Sequence, residues 1–288
     1  MYSAKITRNS PALIMLLVDR SGSMAENIRY DGVMMPKSEV VVRILNTLID
    51  ELLYRCRKGS DYRNYFEIAI YGYNGNEVYS MLDYVSNDKS IFSVSELVNA
   101  GVDHKSVIVR RKGVDGEYYS VATDVKCWVS GHSGGNTPTY AALKYVHKEA
   151  SNWVKHHKSE NTFVPILVHI SDGEASDADE QMLLEISDKL KNIKTDCGNL
   201  LFINVHLASS EAISVMFPQS IEEVEQENRN AVMLYKMSSD MPEFFNEDVA
   251  RIKNLTTYDS TIGFKAVAYN TSVTEFVKVL SVGTSTII

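Results

Sequence analysis

The sequence predicts an α/β protein with a doubly wound, mostly parallel sheet flanked by helices. Short apolar segments rich in branched residues alternate along the chain with segments whose apolar residues recur at helical spacing. Several of the short segments are continuously apolar, which is typical of strands buried on both faces of a parallel sheet. These two observations together indicate repeated strand-helix units.

The first half of the chain supplies three of these strands and a long helix. Residues 13–18 are a continuous apolar run, as expected for a central strand, and apolar spacing over 37–53 predicts a helix. Residues 66–73 alternate like the next strand. Residues 76–81 are its expected antiparallel partner, because the Asn-Gly pair at 74–75 favours a tight hairpin turn.

The second half of the chain continues the alternation with three further helices and three further strands. We expect helices at 140–146, 176–194 and 272–282, and strands at 164–170, 200–207 and 266–269.

Two long insertions exceed this frame, within what we expect to be a single domain spanning 1–288. The first, at about 84–130, carries a predicted hairpin formed by 107–111 and 118–122, with a Gly-rich turn between them. Because the hairpin comes shortly before a glycine-rich loop at the carboxyl edge of the sheet, we expect it to lie beside that edge.

The second insertion, at about 208–255, contains a strand-like segment at 231–235 and a helical stretch at 244–255. Each insertion has two interpretations, covering a sheet edge or contacting a partner, and the sequence leaves both open.

Three oxygen-bearing side chains follow the first strand at alternate positions. Asp19, Ser21 and Ser23 offer one carboxylate and two hydroxyls, and Gly22 allows the tight turn that lets them converge. Open α/β sheets bind their ligands at the carboxyl ends of their strands. The pattern therefore predicts part of a site for a hard divalent cation, which prefers oxygen ligands.

Two later segments supply further oxygen ligands. The glycine-rich loop 134–139 places Thr137 just before a predicted helix, and the strand at 164–170 is followed closely by Asp172. Mg²⁺ prefers about six oxygens in near-octahedral geometry, so solvent or a ligand would complete the shell. The predicted metal ligands are Asp19, Ser21, Ser23, Thr137 and Asp172.

These three segments, in this order, resemble the metal-ion-dependent adhesion site of von Willebrand factor A domains. That signature is D-x-S-x-S, then a threonine, then an aspartate in a D-G step, and all five positions are present over more than half the chain. The resemblance implies a Rossmann-like von Willebrand A fold. It also implies direct ligation by Ser21 and Ser23, state-dependent ligation by Thr137, and mostly water-mediated contacts from the two aspartates.

The function implied by this resemblance is non-enzymatic protein binding. In the family, Mg²⁺, Mn²⁺ or Ca²⁺ at the site takes an Asp or Glu from a protein partner. The motifs at 19–24, 134–139 and 171–174 most resemble those of bacterial TerY-type proteins. Those proteins are associated with tellurite-resistance, stress-response or defence gene clusters that also encode kinases and phosphatases.

Two other functions use a similar set of residues. Haloacid-dehalogenase-like phosphatases also combine a strand-end Asp, a distant Asp and a hydroxyl loop. They need a second acid two residues after the first, and here that residue is Ser21. They also need a lysine that holds the phosphate, and the sequence alone does not place one. A structural subunit with an idle metal site is the third interpretation. The main hypothesis remains a metal-dependent binding module.

Composition and charge limit the partners that we expect. The 288 residues carry a formal net charge of −8, which argues against a general nucleic-acid binder. Cys56, Cys127 and Cys197 are odd in number and widely spaced, so neither a disulfide framework nor a zinc site is indicated. With no signal-like segment at the start and no membrane-length apolar window, we expect a cytoplasmic protein without a membrane partner.

Glu174 and Asp177 follow the last predicted ligand closely. We expect them, with Ser176, to cap the helix that comes next in the chain rather than to bind the metal, because acidic side chains favour helix N-termini.

Overall fold

The computed structural model describes residues 6–8, 10–30, 32–157, 162–207, 214–224, 228–255, 262–272 and 274–279. Within these ranges, one eight-stranded sheet lies between two layers of helices. The α/β class and the mostly parallel, helix-flanked sheet that the sequence predicts are therefore confirmed.

The sheet contains five parallel strands and three short antiparallel ones. In chain order the strands are β1 (Ala12–Asp19), β2 (Phe66–Asn74), β3 (Glu77–Ser80), β4 (Phe92–Ser93), β5 (Ile166–Ser171), β6 (Leu201–Leu207), β7 (Val215–Met216) and β8 (Val267–Thr271). Their order across the sheet is β7-β8-β6-β5-β1-β2-β3, and β4 also pairs with β2. β3, β4 and β7 are the antiparallel members, and they lie towards the two edges.

Six helices have defined bounds in the described part of the chain. They are α1 (Lys37–Arg55), α2 (Val94–Ala100), α3 (Thr139–His156), α4 (Glu180–Lys191), α5 (Arg229–Met237) and α6 (Asn246–Ile252). Residues 274–279 are also helical, and the rest of the helix predicted at 272–282 lies partly outside the described residues. None of the helices in the described ranges combines the length and the apolar character needed to cross a membrane.

The strand β1 divides the hydrophobic core into two clusters. Its even-numbered residues, such as Ile14 and Leu16, belong to the cluster that includes the apolar faces of α1 and α2. Its odd-numbered residues, such as Leu13 and Met15, belong to the cluster that includes α3, α4 and α5. Because successive side chains of a strand point to opposite faces, a continuously apolar strand fits a sheet covered on both sides.

The hairpin of the first insertion is present and longer than predicted. Its strands, Asp103–Lys112 and Tyr118–Cys127, pair only with each other. At its base, Trp128 Nε1 donates a hydrogen bond to Asp50 Oδ1 at 2.8 Å. Asp50 lies about 20 Å along α1 from its first residue, so the hairpin joins the domain away from the carboxyl ends of the strands. The expectation that it lies beside that edge is wrong.

The second insertion contains a helix where the sequence suggested a strand. Residues 231–235 lie within α5, whose buried face is formed by Ala231, Leu234 and Met237. This spacing of three residues is helical, and the Asn228 side chain accepts a hydrogen bond from the Ala231 N–H at the start of the helix. The helical stretch predicted at 244–255 is confirmed as a short 3-10 turn, Glu243–Phe245, followed by α6.

Three small antiparallel ribbons were not predicted. They pair Asn27–Tyr30 with Val33–Pro36, Arg57–Lys58 with Asp61–Tyr62, and Lys194–Thr195 with Gly198–Asn199. The first joins the end of the predicted metal-binding segment to α1.

Candidate metal centre

Polar side chains form a row at the carboxyl ends of the parallel strands. In the sheet register, Asp19 at the end of β1 is paired with Tyr73 of β2, and Ser171 at the end of β5 is paired with His206 of β6. Because β5 lies directly beside β1, these four residues occupy one edge of the sheet. This is the edge at which open α/β sheets bind ligands.

Asp19 is completely buried at this edge. Its carboxylate accepts hydrogen bonds from the Ser21 backbone N–H at 2.8 Å and from the Ser171 hydroxyl at 2.9 Å, and both donors are neutral. Burial raises the pKa of Asp19 despite these hydrogen bonds, and the charge of Asp172 raises it further. A cation here would favour the ionised form.

Ser21, Ser23 and Asp172 form a chain of hydrogen bonds beside Asp19. Ser23 Oγ donates to Asp172 Oδ1 at 2.7 Å, and Ser21 Oγ lies 3.1 Å from Ser23 Oγ. The Ser21 side chain also hydrogen-bonds to the Asp19 carboxylate. Ser23 therefore links the Ser21 hydroxyl to a carboxylate oxygen of Asp172, although Ser23 and Asp172 are far apart in sequence.

Lys37, the first residue of α1, brings an ammonium to the same place. Its Nζ atom lies 2.6 Å from Asp172 Oδ2 and 3.0 Å from Glu26 Oε2. The side chains of Lys37 and Asp172 have no exposed surface, whereas that of Glu26 is 56% exposed. The buried charges of Asp19, Asp172 and Lys37 thus sum to one negative charge when both acids are ionised.

Thr137 reaches the centre through backbone contacts of its loop. Two residues before it, Gly135 O accepts a hydrogen bond from the Gly22 N–H at 2.9 Å. The Thr137 N–H itself donates to Ser176 Oγ at 3.0 Å. In the part of the chain that the structure describes, no hydrogen bond joins the Thr137 hydroxyl to the other four predicted ligands.

The loop before Thr137 depends on glycine. Gly135 has φ +79°, a left-handed conformation, and a Cβ added there would lie 2.9 Å from Gly75 N. The Asn74 side chain donates to Gly134 O at 2.9 Å. The β2–β3 turn and the Thr137 loop are therefore packed backbone against backbone at the rim of the centre.

Asp177 caps a different helix from the one that we expected. Its two carboxylate oxygens accept hydrogen bonds from the Tyr140 and Ala141 N–H groups in the first turn of α3. The next helix in the chain, α4, is capped by Asp179, which accepts from the Met182 N–H. For Asp177 the prediction of capping was right, but the helix that it caps is α3 instead of α4, because the chain after Asp172 folds back onto the Thr137 loop.

A buried polar network lies behind Asp19. The Tyr73 hydroxyl lies 2.7 Å from His169 Nε2, and His169 Nδ1 lies 2.9 Å from Asn204 Oδ1. An amide oxygen only accepts, so His169 is protonated at Nδ1 and Tyr73 donates to Nε2. Burial raises the pKa of Tyr73 well above its usual value and lowers that of His169 to about 4, so both groups are neutral at pH 7.

Sequence reasoning missed Lys37, Ser171 and Tyr73 as residues of this centre. A signal existed for Lys37, because a lysine at the first position of a helix opposes the helix dipole and needs another reason to be there. Tyr73 and Ser171 are at the ends of strands that the sequence did predict. Only the strand order and register of the sheet show that these two residues lie next to Asp19.

The donor set fits a hard cation such as Mg²⁺. It consists of carboxylate and hydroxyl oxygens, and the Asp19 carboxylate accepts its hydrogen bonds from neutral donors only. Among the described residues, no group of three or more His, Cys, Asp or Glu side chains is placed to hold a metal. A metal here would therefore depend on the serine hydroxyls.

Fold and site together define a doubly wound α/β domain with an oxygen-donor centre at the carboxyl edge of its sheet. The sequence matches no protein-family model and no curated protein.

Solved structures resemble parts of the chain. They include a von Willebrand factor type A protein from Catenulispora acidiphila, with 11% identity over 69% of this chain and 34% of its own, at a TM-score of 0.39. Manganese-loaded TRAP protein from Plasmodium vivax shows 19% identity over 68% of this chain and 57% of its own, at a TM-score of 0.34. The vWF domain of the pili tip protein Mfa5 from Porphyromonas gingivalis shows 13% identity over 58% and 39%, at a TM-score of 0.32. The chain spans less than two thirds of each of these three structures.

Proposed function

We propose that this protein is a von Willebrand A-type module that binds a protein partner through a divalent metal ion, with Mg²⁺ the preferred ion and Mn²⁺ or Ca²⁺ able to replace it. The observation that carries the proposal is the convergence of Ser21, Ser23 and Asp172 beside the buried Asp19 at the carboxyl edge of the sheet. The five predicted ligands, including Thr137, are those of a metal-ion-dependent adhesion site.

Each of these residues has a role in the proposal. The serine hydroxyls contribute neutral oxygen ligands, while Asp19 and Asp172 provide the negative charge that holds the cation. Ser171 orients Asp19, and the Thr137 loop is held against Gly22 through Gly135. The bound ion would supply an electrophilic position that accepts a carboxylate oxygen from an Asp or Glu of the partner.

Protein binding is favoured over hydrolysis by the chemistry of the residue two positions after Asp19. A general acid is expected there in a phosphoryl hydrolase, whereas Ser21 has a neutral hydroxyl that lies 3.1 Å from Ser23 Oγ. We therefore propose that the module has no enzymatic activity of its own.

The cellular setting in the proposal is the bacterial cytoplasm, in a stress-response or defence system of the TerY type. The resemblance of this chain's motifs at 19–24, 134–139 and 171–174 to those of TerY-type proteins supports this setting. The free thiols of Cys56, Cys127 and Cys197 are compatible with a reducing compartment.

The test is an affinity pull-down from native cell lysate with the wild type and Asp19→Asn, each in Mg²⁺ and in EDTA. Asparagine keeps the shape of the side chain. Its single oxygen can still accept from the Ser21 N–H, and its amide group can donate to the Ser171 hydroxyl, so the fold is expected to survive. Asp240→Asn is the matched control, since Asp240 is 85% exposed and pairs with Lys265 away from the centre.

Partners retained by the wild type and by Asp240→Asn in Mg²⁺, but lost in EDTA and with Asp19→Asn, are the expected result. Retention of the same partners under all conditions would show that binding uses other surfaces. Mg²⁺-dependent release of phosphate from a phosphoprotein in the same lysate, lost with Asp19→Asn, would favour the hydrolase instead.

A further inference from the structure

Lys37 is a buried ammonium at the candidate metal centre that the five-ligand pattern does not contain. Its side chain has no exposed surface, and its Nζ atom contacts Asp172 Oδ2 at 2.6 Å. Lysine is almost never fully buried unless it is paired, because removing an ammonium from water is costly. The position therefore needs a specific partner, and that partner is one of the predicted metal ligands.

The two oxygens of Asp172 have different neighbours. Oδ1 accepts the hydrogen bond from Ser23 and so lies on the side of the serine hydroxyls, while Oδ2 lies against Lys37. The ammonium can therefore stay in contact with Asp172 without occupying the side on which the other ligands converge. Lys37 and a metal would share this carboxylate.

The backbone around Lys37 holds it at this point. Its N–H donates to Glu26 O at 2.9 Å, and its ammonium lies 3.0 Å from Glu26 Oε2. These two contacts close the base of the ribbon 27–36, which connects the Ser23 segment to α1. The ammonium also lies at the positive end of the α1 dipole, an unfavourable location that the contacts with Asp172 and Glu26 offset.

We propose that Lys37 is a tethered counter-ion of the metal centre. It holds Asp172 in position in the metal-free protein, and it lowers the affinity of the centre for divalent cations by neutralising one of the two buried carboxylates. This inference rests on the proposed function, since it concerns the same centre. Lys37 thus keeps the centre ordered when no metal is bound, and it makes metal binding weak enough to be reversible.

The test compares the wild type with Lys37→Met and Lys37→Gln. Methionine keeps most of the apolar stem, while the glutamine amide can still donate a hydrogen bond to Asp172, so at least one uncharged variant is expected to fold. Binding of Mn²⁺ is measured by calorimetry, and the melting temperature is measured in EDTA and in Mn²⁺. Lys236→Met is the control, because Lys236 is 43% exposed and pairs with Glu180 on the surface.

Loss of the ammonium should raise the Mn²⁺ affinity about 10-fold or more, since a unit positive charge a few ångströms from the ion is removed. In EDTA the same variants should melt roughly 5–10 °C lower, because Asp172 is left buried without its counter-ion. The double variant Lys37→Met/Asp172→Asn should recover most of that loss in EDTA. Lys236→Met should behave like the wild type in both measurements.

The outcomes separate this inference from the proposed function. If the wild type binds Mn²⁺ and the uncharged variants bind it equally or more weakly, the counter-ion role is overturned and the metal function stands. If the variants bind Mn²⁺ and the wild type does not, Lys37 is supported as a counter-ion and the metal function of the native protein is overturned. If none of them binds Mn²⁺, both are overturned.

Discussion

Arg20 shows how a single side chain can hold the rim of the centre in place. It lies between Asp19 and Ser21 and is buried, with only 3% of its surface exposed. Its guanidinium donates hydrogen bonds to the carbonyl oxygens of Ser130 and His132. These two residues belong to the segment that returns from the hairpin to the Thr137 loop, so Arg20 fixes that segment against the first strand.

We expect Arg20→Lys to destabilise the fold by about 2 kcal/mol, because an ammonium cannot reproduce the two fixed directions of the guanidinium and one buried carbonyl loses its donor. Urea unfolding of both proteins in EDTA measures the difference. The exposed Arg29→Lys is the control. A change of less than about 0.5 kcal/mol is the range of neutral surface substitutions. Such a result would show that the two hydrogen bonds of Arg20 do not contribute to stability.

At the residue scale, the sequence was sufficient for the oxygen donors and not for their surroundings. Asp19, Ser21 and Ser23 are close in the chain, and Asp172 follows a recognisable strand, so their convergence could be predicted. That they bind a metal stays a prediction. Lys37 contacts Asp172 only because α1 begins beside β5, and such a distant contact has no local signal apart from the unusual helix-terminal lysine.

The hairpin of the first insertion is the element least integrated into the domain. Where side chains are described, none of its residues is fully buried, and Ile108 and Tyr118 are 68% and 60% exposed. An isolated two-stranded hairpin is only marginally stable in water. Its contribution to the stability of the domain is therefore expected to be small.

Replacing residues 105–125 with a short Gly-Ser turn should change the free energy of unfolding by less than about 1 kcal/mol, because few buried contacts are lost. It should also leave the Mn²⁺ affinity unchanged, since the base of the hairpin lies at Asp50, far along α1 from the centre. Denaturation and calorimetry on the trimmed protein measure both quantities. A large loss of metal affinity would place the hairpin in contact with the centre after all.

At the element scale, prediction succeeded where one pattern was strong. The hairpin has two alternating segments around a Gly-rich turn, and it was found in the expected place in the chain. The segment at 231–235 was misjudged because five apolar or aromatic residues in succession fit either a strand or a buried helix, and the decisive features lie at Asn228 and Met237, outside that window.

The sheet of the whole molecule is crossed by a buried polar network that runs from the centre toward α5. From Tyr73 it continues through His169 to Asn204, whose side-chain amide donates to Ser238 Oγ at 2.9 Å. Its satisfied hydrogen bonds require His169 to be neutral. The network therefore makes the stability of the whole fold depend on pH.

Burial lowers the pKa of His169 to about 4, whereas the unfolded chain has a value near 6.5. Between these values the unfolded state binds a proton that the folded state does not, so stability falls as the pH falls from about 6.5 to 4. The loss from this group is roughly 3 kcal/mol at the acid end.

His169→Gln should flatten the pH dependence of the free energy of unfolding over this interval, because glutamine does not titrate and its amide oxygen can accept from Tyr73. His206, whose pKa burial also lowers to about 4, leaves a residual slope. Urea unfolding at a series of pH values in EDTA gives the slopes. Equal slopes for the two proteins would contradict the role assigned to His169.

At the scale of the whole molecule, the layer architecture followed from the sequence and the strand order did not. Continuous apolar runs such as 13–18 require helices on both faces, which defines a doubly wound sheet. Those runs do not predict that β5 and β2 flank β1. That order brings Ser171 and Tyr73 to Asp19, and it depends on the packing of the complete chain.

The most direct test of the central claim is calorimetric titration of Mg²⁺ and Mn²⁺ into the wild type and into Asp19→Asn, with Asp240→Asn as control. We expect the wild type and the control to bind one equivalent of metal, and Asp19→Asn to bind at least about 10-fold more weakly because the centre loses a buried negative charge. Absence of binding to the wild type, or equal affinity for wild type and Asp19→Asn, would contradict the assignment of a metal centre at the carboxyl edge of the sheet.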